Sequence, residues 1–183
     1  MKRSIRAAAA ALTACLMLGM FSGCGLIKRL DDTQDEASFS YCEAGGTVSF
    51  PEGFSPTGSK NTLETVTLDS TLCGSFTQVP ASKSTAYFYP ASDTLTVTAN
   101  GTTDGILEQF RINLWRRTEN GTEWVHTLYF RTDGETATGT FTGLDTNSRY
   151  RISVAFSGAT TSCTGSFNVS PIVLDTSSSA EGE

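Results

Sequence analysis

The chain has 183 residues, with 13 Lys and Arg against 19 Asp and Glu, one histidine and a net charge of −6. A balance this acidic, with no clustered basic stripe, argues against a nucleic-acid binder. The lone His126 removes most histidine-based catalysis and metal chemistry, and nothing in the composition calls for a cofactor.

The amino terminus reads MKRSIR and then AAAAALTACLMLGMF. A basic start, an apolar run of about 15 residues and small residues at its end predict a secretory signal over residues 1–23. A bilayer span takes about 20 apolar residues, so this run is too short to cross. Phe21-Ser22-Gly23-Cys24 resembles the bacterial lipobox, usually Leu, a small residue, Gly or Ala, and Cys. Ser22, Gly23 and Cys24 match that pattern, and Phe21 stands where Leu is usual. The resemblance implies that the Cys24 thiol takes a diacylglycerol, that the peptide before it is removed, and that lipid holds the exported protein at the cell membrane or surface. Leu12-Thr13-Ala14-Cys15 also fits the residue pattern, but a cut there would leave most of the apolar run behind it. Each buried acyl methylene contributes about 0.8 kcal/mol, so two or three chains would anchor the protein almost permanently. The alternative is plain secretion with cleavage near Gly23.

Removal of Lys2, Arg3 and Arg6 with the signal leaves 10 basic residues against 19 acidic ones, and the net charge becomes −9. Three cysteines remain beyond Cys24: Cys42, Cys73 and Cys163. Export makes one disulfide reasonable, with one thiol left over. Cys73 and Cys163 sit in the similar contexts LCGSFTQV and SCTGSFNV, which favours Cys73–Cys163, with Cys42–Cys73 as the rival. Residues 24–61 are acidic and rich in Gly, Ser and Pro. They predict a flexible tether with one short strand near Val48. Asp31, Asp32, Asp35 and Glu36 lack the spacing and glycine turn of a calcium loop and read as a solvated charge run.

From residue 62 to 174, Thr-rich and aromatic runs alternate with turn residues every 8 to 12 positions, which predicts an antiparallel all-β sandwich. Strands are expected at 64–68, 73–79, 85–89, 94–99, 109–117, 122–132, 136–142, 149–157 and 163–170, with a polar tail over 175–183. Leu144-Asp145-Thr146-Asn147-Ser148-Arg149-Tyr150 resembles the E–F corner of fibronectin type III domains, where a Leu precedes by six residues the Tyr of a tyrosine corner. Thr146 and Asn147 replace the usual Pro and Gly, and the strand B Trp is absent. The resemblance implies an immunoglobulin- or fibronectin-like sandwich over residues 74–173.

Asn120-Gly121 between two aromatic runs predicts a two-residue hairpin turn. With those loop residues, Arg117 pairs with Trp124, Trp115 with His126, Asn113 with Leu128 and Arg111 with Phe130. Cross-strand partners share a face. One face then carries Trp115, Trp124, His126, Leu128 and Phe130, rimmed by Arg111 and Arg117. The other carries Phe110, Ile112, Leu114, Val125 and Tyr129. The unbroken alternation of Phe110, Ile112 and Leu114 marks theirs as the core face, with Tyr150, Ile152, Val154, Phe141, Leu144, Leu95 and Val97 as partners. A slip of one residue would exchange the faces.

An outward face with two indoles flanked by arginines fits a non-catalytic binding module for a glycan or a protein. The second reading is a structural or accessory subunit of an envelope assembly. A remote third is a small glycan-active enzyme using two of Glu108, Glu119, Glu123 and Asp133. No nucleophile elbow, zinc-helix motif or phosphate loop is present in the sequence, so a non-enzyme is expected.

Overall fold

The computed structural model describes residues 39–106, 108–156 and 161–174. The signal segment, Cys24, the acidic run at 31–36 and the tail 175–183 lie outside the described residues. Within the described residues, thirteen strands follow in chain order. The first seven are β1 (Phe39–Tyr41), β2 (Glu43–Ala44), β3 (Thr62–Leu68), β4 (Thr71–Val79), β5 (Ser82–Ser84), β6 (Phe88–Pro90) and β7 (Leu95–Thr103). Then come β8 (Gln109–Thr118), β9 (Gly121–Arg131), β10 (Ala137–Phe141), β11 (Tyr150–Phe156), β12 (Cys163–Ser170) and β13 (Ile172–Leu174).

The strands form two sheets, with the order β1-β9-β8-β11-β6-β13 in one, β5 pairing on β11, and β2-β10-β7-β12-β4-β3 in the other. All pairs are antiparallel except β1 with β9. This is an all-β fold compatible with an immunoglobulin-like sandwich. One pairing departs from that plan. In immunoglobulin domains the strand that follows F pairs beside it, whereas β12, the strand that follows β11, lies between β7 and β4 in the opposite sheet.

Alternation packs the core. Phe110, Ile112 and Leu114 of β8, Ile152 and Val154 of β11, and Leu95 and Val97 of β7 are all buried, with Phe141, Leu144 and Tyr150. The expected core face of β8 is therefore the observed one. At the corner before β11, the Asp145 N–H donates to the Tyr150 hydroxyl at 3.2 Å, a bond between the tyrosine hydroxyl and backbone a few residues upstream, as in a tyrosine corner. Asp145 closes the same turn by accepting from Asn147 N at 2.9 Å and Ser148 Oγ at 2.7 Å.

The two similar segments pair with each other. Gly165 lies opposite Phe76, Ser166 opposite Ser75 and Phe167 opposite Gly74. Each phenylalanine occupies the space that a Cβ on the facing glycine would need. Antiparallel pairing also sends the two cysteines to opposite ends: Cys73 faces Asn168, and Cys163 faces Val79. Along β4 that offset is six residues, about 20 Å, far beyond the ~7 Å Cα separation a disulfide tolerates. The expected Cys73–Cys163 bridge is thus overturned. Cys42 lies against Gly139 and Leu128, three strands away from Cys73, and all three thiols are free.

Burial pushes the Cys163 and Cys42 thiols up to about 12, and burial raises Cys73 too, opposed by its hydrogen bond with Asn168. A thiol whose folded pKa lies above its unfolded one stabilises the fold below the unfolded value and loses that contribution as pH rises toward the folded value. For the fully buried Cys163 the window runs from 9.0 to about 12. Denaturant titrations at pH 8 and pH 10 should show the wild type losing about 1.4 kcal/mol more than Cys163→Ala. Equal losses would show that Cys163 carries no such linkage.

The tether expectation gives way at residue 39. β1 and β2 join opposite sheets, pairing with β9 and β10. Residues 45–61 then cross the outer face of the second sheet. Gly45 N donates to Thr136 O at 2.8 Å, and its carbonyl accepts from Thr138 Oγ1 at 3.0 Å. Ser49 and Asn168 exchange two hydrogen bonds at 2.8 Å each, and Thr57 N reaches Glu64 Oε2 at 2.9 Å. The expected strand near Val48 is absent; that stretch is strap, held by side chains.

Candidate functional site

The β8–β9 hairpin builds the outer face of the first sheet, and its register differs from the expected one twice. Thr118 pairs with Gly121, so the loop is Glu119-Asn120 and only Gly121 takes a positive φ, 135°. A turn followed by a positive-φ glycine is the common alternative to a two-residue primed turn. The pairing then runs Arg117–Thr122, Arg116–Glu123 and Trp115–Trp124, but continues Leu114–His126. Val125 is the extra residue of a β-bulge.

That bulge decides which side chains face where. Strict alternation would hold Trp124, His126, Leu128 and Phe130 on one face. The extra residue lets Trp124 point outward while Leu128 and Phe130 pack in the core. His126 turns inward with them, its ring edge-on to Phe141 at 5.6 Å and its Nδ1 buried without a hydrogen-bond partner. It therefore leaves the expected binding surface, as do Leu128 and Phe130. Tyr129, expected in the core, faces outward and its ring lies 5.5 Å from that of Tyr41.

The outward side chains form a grid across β9, β8 and β11. Its rows are Tyr129, Arg111 and Ala155; Thr127, Asn113 and Ser153; and Trp124, Trp115 and Arg151. A fourth joins Thr122 with Arg117, whose N–H donates to Arg149 O at 2.7 Å. Trp115, Trp124, Arg111 and Arg117 therefore share one surface, as expected.

A side-chain chain ties the two indoles down. Trp124 Nε1–H donates to Thr127 Oγ1 at 3.0 Å, and the Thr127 hydroxyl donates to Asn113 Oδ1 at 2.8 Å. Asn113 Nδ2 donates to Ser153 Oγ at 3.3 Å, which also accepts from Trp115 Nε1 at 2.9 Å. Thr127 and Ser153 are only 3% and 2% exposed, whereas Trp124 keeps 41% of its surface open. Both N–H groups are thus used inside the sheet, and what is left to solvent is ring.

Beside the indoles stands a cluster that the sequence alone does not reveal. The guanidinium carbons of Arg151, Arg149 and Arg117 lie 5.3, 5.4 and 5.6 Å from the centroid of the Tyr87 ring. The Tyr87 hydroxyl is 3.1 Å from Thr122 Oγ1. Burial works against ionising this phenol, yet hydrogen bonds with Thr122 and Arg117 and the charges of Arg151 and Arg117 outweigh it. Its pKa is lowered. No local signal marks Arg149, Arg151 or Tyr87, because the sheet brings them to Arg117 from about 30 residues away or more.

The four candidate carboxylates do not converge. Glu108 and Asp133 flank the open end of the hairpin, whereas Glu119 is in its turn and Glu123 pairs with Arg116 near it. An open cleft of about 950 Å³ lies at the first pair, lined among others by Tyr41, Cys42, Glu108 and Asp133, and Asp133 there pairs with Arg131 at 3.0 Å. Compared with known proteins, the chain matches no family model and no curated sequence.

Proposed function

We propose that the protein is an exported, lipid-anchored surface lipoprotein whose sandwich is a non-catalytic binding module, with a glycan as the ligand of the Trp115/Trp124 face. The observation that carries the glycan reading is the indole arrangement. Both indole N–H groups are bonded within the sheet, so the face offers π surface to pack on a sugar ring rather than donors to a polar chain. The partly apolar patch is of the kind that marks an interaction site. Ser22-Gly23-Cys24, behind a basic and apolar leader, supports the anchor.

Metabolic labelling with an alkynyl fatty acid should mark the protein and leave Cys24→Ser unmarked; a labelled Cys24→Ser protein overturns the anchor. The purified chain should bind saturably on a glycan array, and Trp124→Ala should reduce that binding at least tenfold. Instead, stable co-purification with a membrane complex, lost in Trp124→Ala, would identify an accessory subunit.

A further inference from the structure

We infer that the ligand of this face is an anionic saccharide, its carboxylate or sulfate groups seated against Arg117, Arg149 and Arg151 and a sugar ring on Trp124. The inference rests on the reading of the indole pair as a sugar-stacking surface and adds the charge of the sugar.

Three guanidinium groups converge on one tyrosine ring within 5.6 Å of its centroid. The ring's negative face attracts each of them and gathers the three charges at one place. An oxyanion fits such a cluster, because guanidinium matches carboxylate and sulfate geometry with paired hydrogen bonds. The Arg151 Nε–H is buried and has no hydrogen-bond acceptor among the described residues. The chain as a whole carries −6, so a cationic cluster opposes the general charge and would select an anion locally.

The spacing also suits a saccharide. Trp124, Trp115 and Arg151 occupy one row across three neighbouring strands. Backbone to backbone, Trp124 and Arg151 are two strand spacings apart, about 10 Å. A short oligosaccharide lying across the strands can therefore stack on the indole and reach the arginines together. An acidic peptide would satisfy the arginines but make little use of ring faces whose N–H groups are already bonded.

Calorimetric titration of the full chain in detergent tests this with four probes: a galacturonate tetramer, the same tetramer fully methyl-esterified, a heparin-derived tetrasaccharide and poly-glutamate. The galacturonate, the sulfated tetrasaccharide or both should bind at least tenfold more tightly than the ester, and more weakly as salt is raised. Which of the two binds identifies the oxyanion. Arg151→Gln should bring the affinity for the anionic sugar down toward that of the ester. The wild-type comparison decides the matter even if that variant does not fold. Equal affinity for acid and ester overturns the anionic ligand and leaves the sugar platform standing. Poly-glutamate binding as tightly as the sugars overturns the saccharide assignment, and no binding of any saccharide overturns the platform as well.

Discussion

Phe110→Ala is expected to lower the unfolding free energy by about 3–5 kcal/mol, the full range for a buried phenylalanine. The ring stacks on Phe130 at 5.2 Å in its own sheet and meets Phe76 of the other sheet at 5.3 Å. It also fills a notch at Gly101, where a Cβ would come 2.7 Å from Phe110 Cε1 and 3.3 Å from Cys163 Sγ. The walls of that notch are β7 and β12, whose backbones are held by a continuous ladder from Cys163–Thr103 to Ser170–Thr96. They cannot close over the hole, so the cavity stays open and the cost falls at the upper end. Trp124→Ala removes a larger ring, yet 41% of that residue is already in solvent. It should cost less, about 2–3 kcal/mol, for one hydrogen bond and the partial burial. Guanidinium chloride titrations of both variants check the contrast; a Phe110→Ala protein within 1 kcal/mol of the wild type would contradict this view of how the sheets are joined.

The contrast between those two aromatics bears on how far the fold is legible in the amino-acid sequence. The β8 core face is legible because Phe110, Ile112 and Leu114 alternate without interruption, and all three are fully buried. β12 has its expected limits, 163–170, because both ends are marked by a change from apolar alternation to turn residues. The corner at Leu144 to Tyr150 is legible because a tyrosine corner is a local device, closed within five residues. The 85–89 strand is less so: the structure breaks that region into β5 and β6.

The second half of the hairpin is not legible, and the reason is physical. From Trp124 to Phe130 apolar side chains stand at both odd and even positions, and nothing in the pattern says that one residue is to be skipped. The bulge at Val125 is selected by the core, which gains Leu128 and Phe130 from it. A tertiary choice of this kind leaves little local trace. The strap at 45–61 is hidden for a related reason. Its hold on the sheet comes from Ser49, Asn168, Thr57 and Glu64, pairs up to 119 residues apart, with no periodicity to announce them. Residue similarity around Cys73 and Cys163 misleads because it suggests a shared position near the domain ends. Its actual meaning is mutual pairing, glycine against phenylalanine, which drives the two thiols apart. Arg149 and Arg151 become a site only through the placement of β11 beside β8.

Asn113→Leu is the second large effect expected, and it connects the sheet to the binding face. Asn113 is the link between the two buried hydroxyls, accepting from Thr127 and donating to Ser153. Leucine matches its bulk but leaves the Thr127 hydroxyl proton without its acceptor and Ser153 with one partner fewer. Stranded buried polar groups cost about 1–3 kcal/mol each, so stability should fall by roughly 2–4 kcal/mol. The indoles feel the loss next, because Thr127 and Ser153 are the groups that hold their N–H atoms. Near-ultraviolet circular dichroism, which reports how rigidly aromatic rings are held, should weaken for both tryptophans. Thr127→Val removes the Trp124 acceptor and the donor to Asn113 Oδ1 but leaves the bonds of Asn113 and Trp115 to Ser153, so it should weaken one tryptophan signal and leave the Trp115 contribution in place. Sugar affinity should fall at least tenfold in Asn113→Leu although Asn113 itself is no part of the stacking surface, since each ring must then be ordered at the moment of binding. A variant with unchanged dichroism would mean that packing alone orients the indoles, and that the hydrogen-bonded chain beneath them is incidental to recognition.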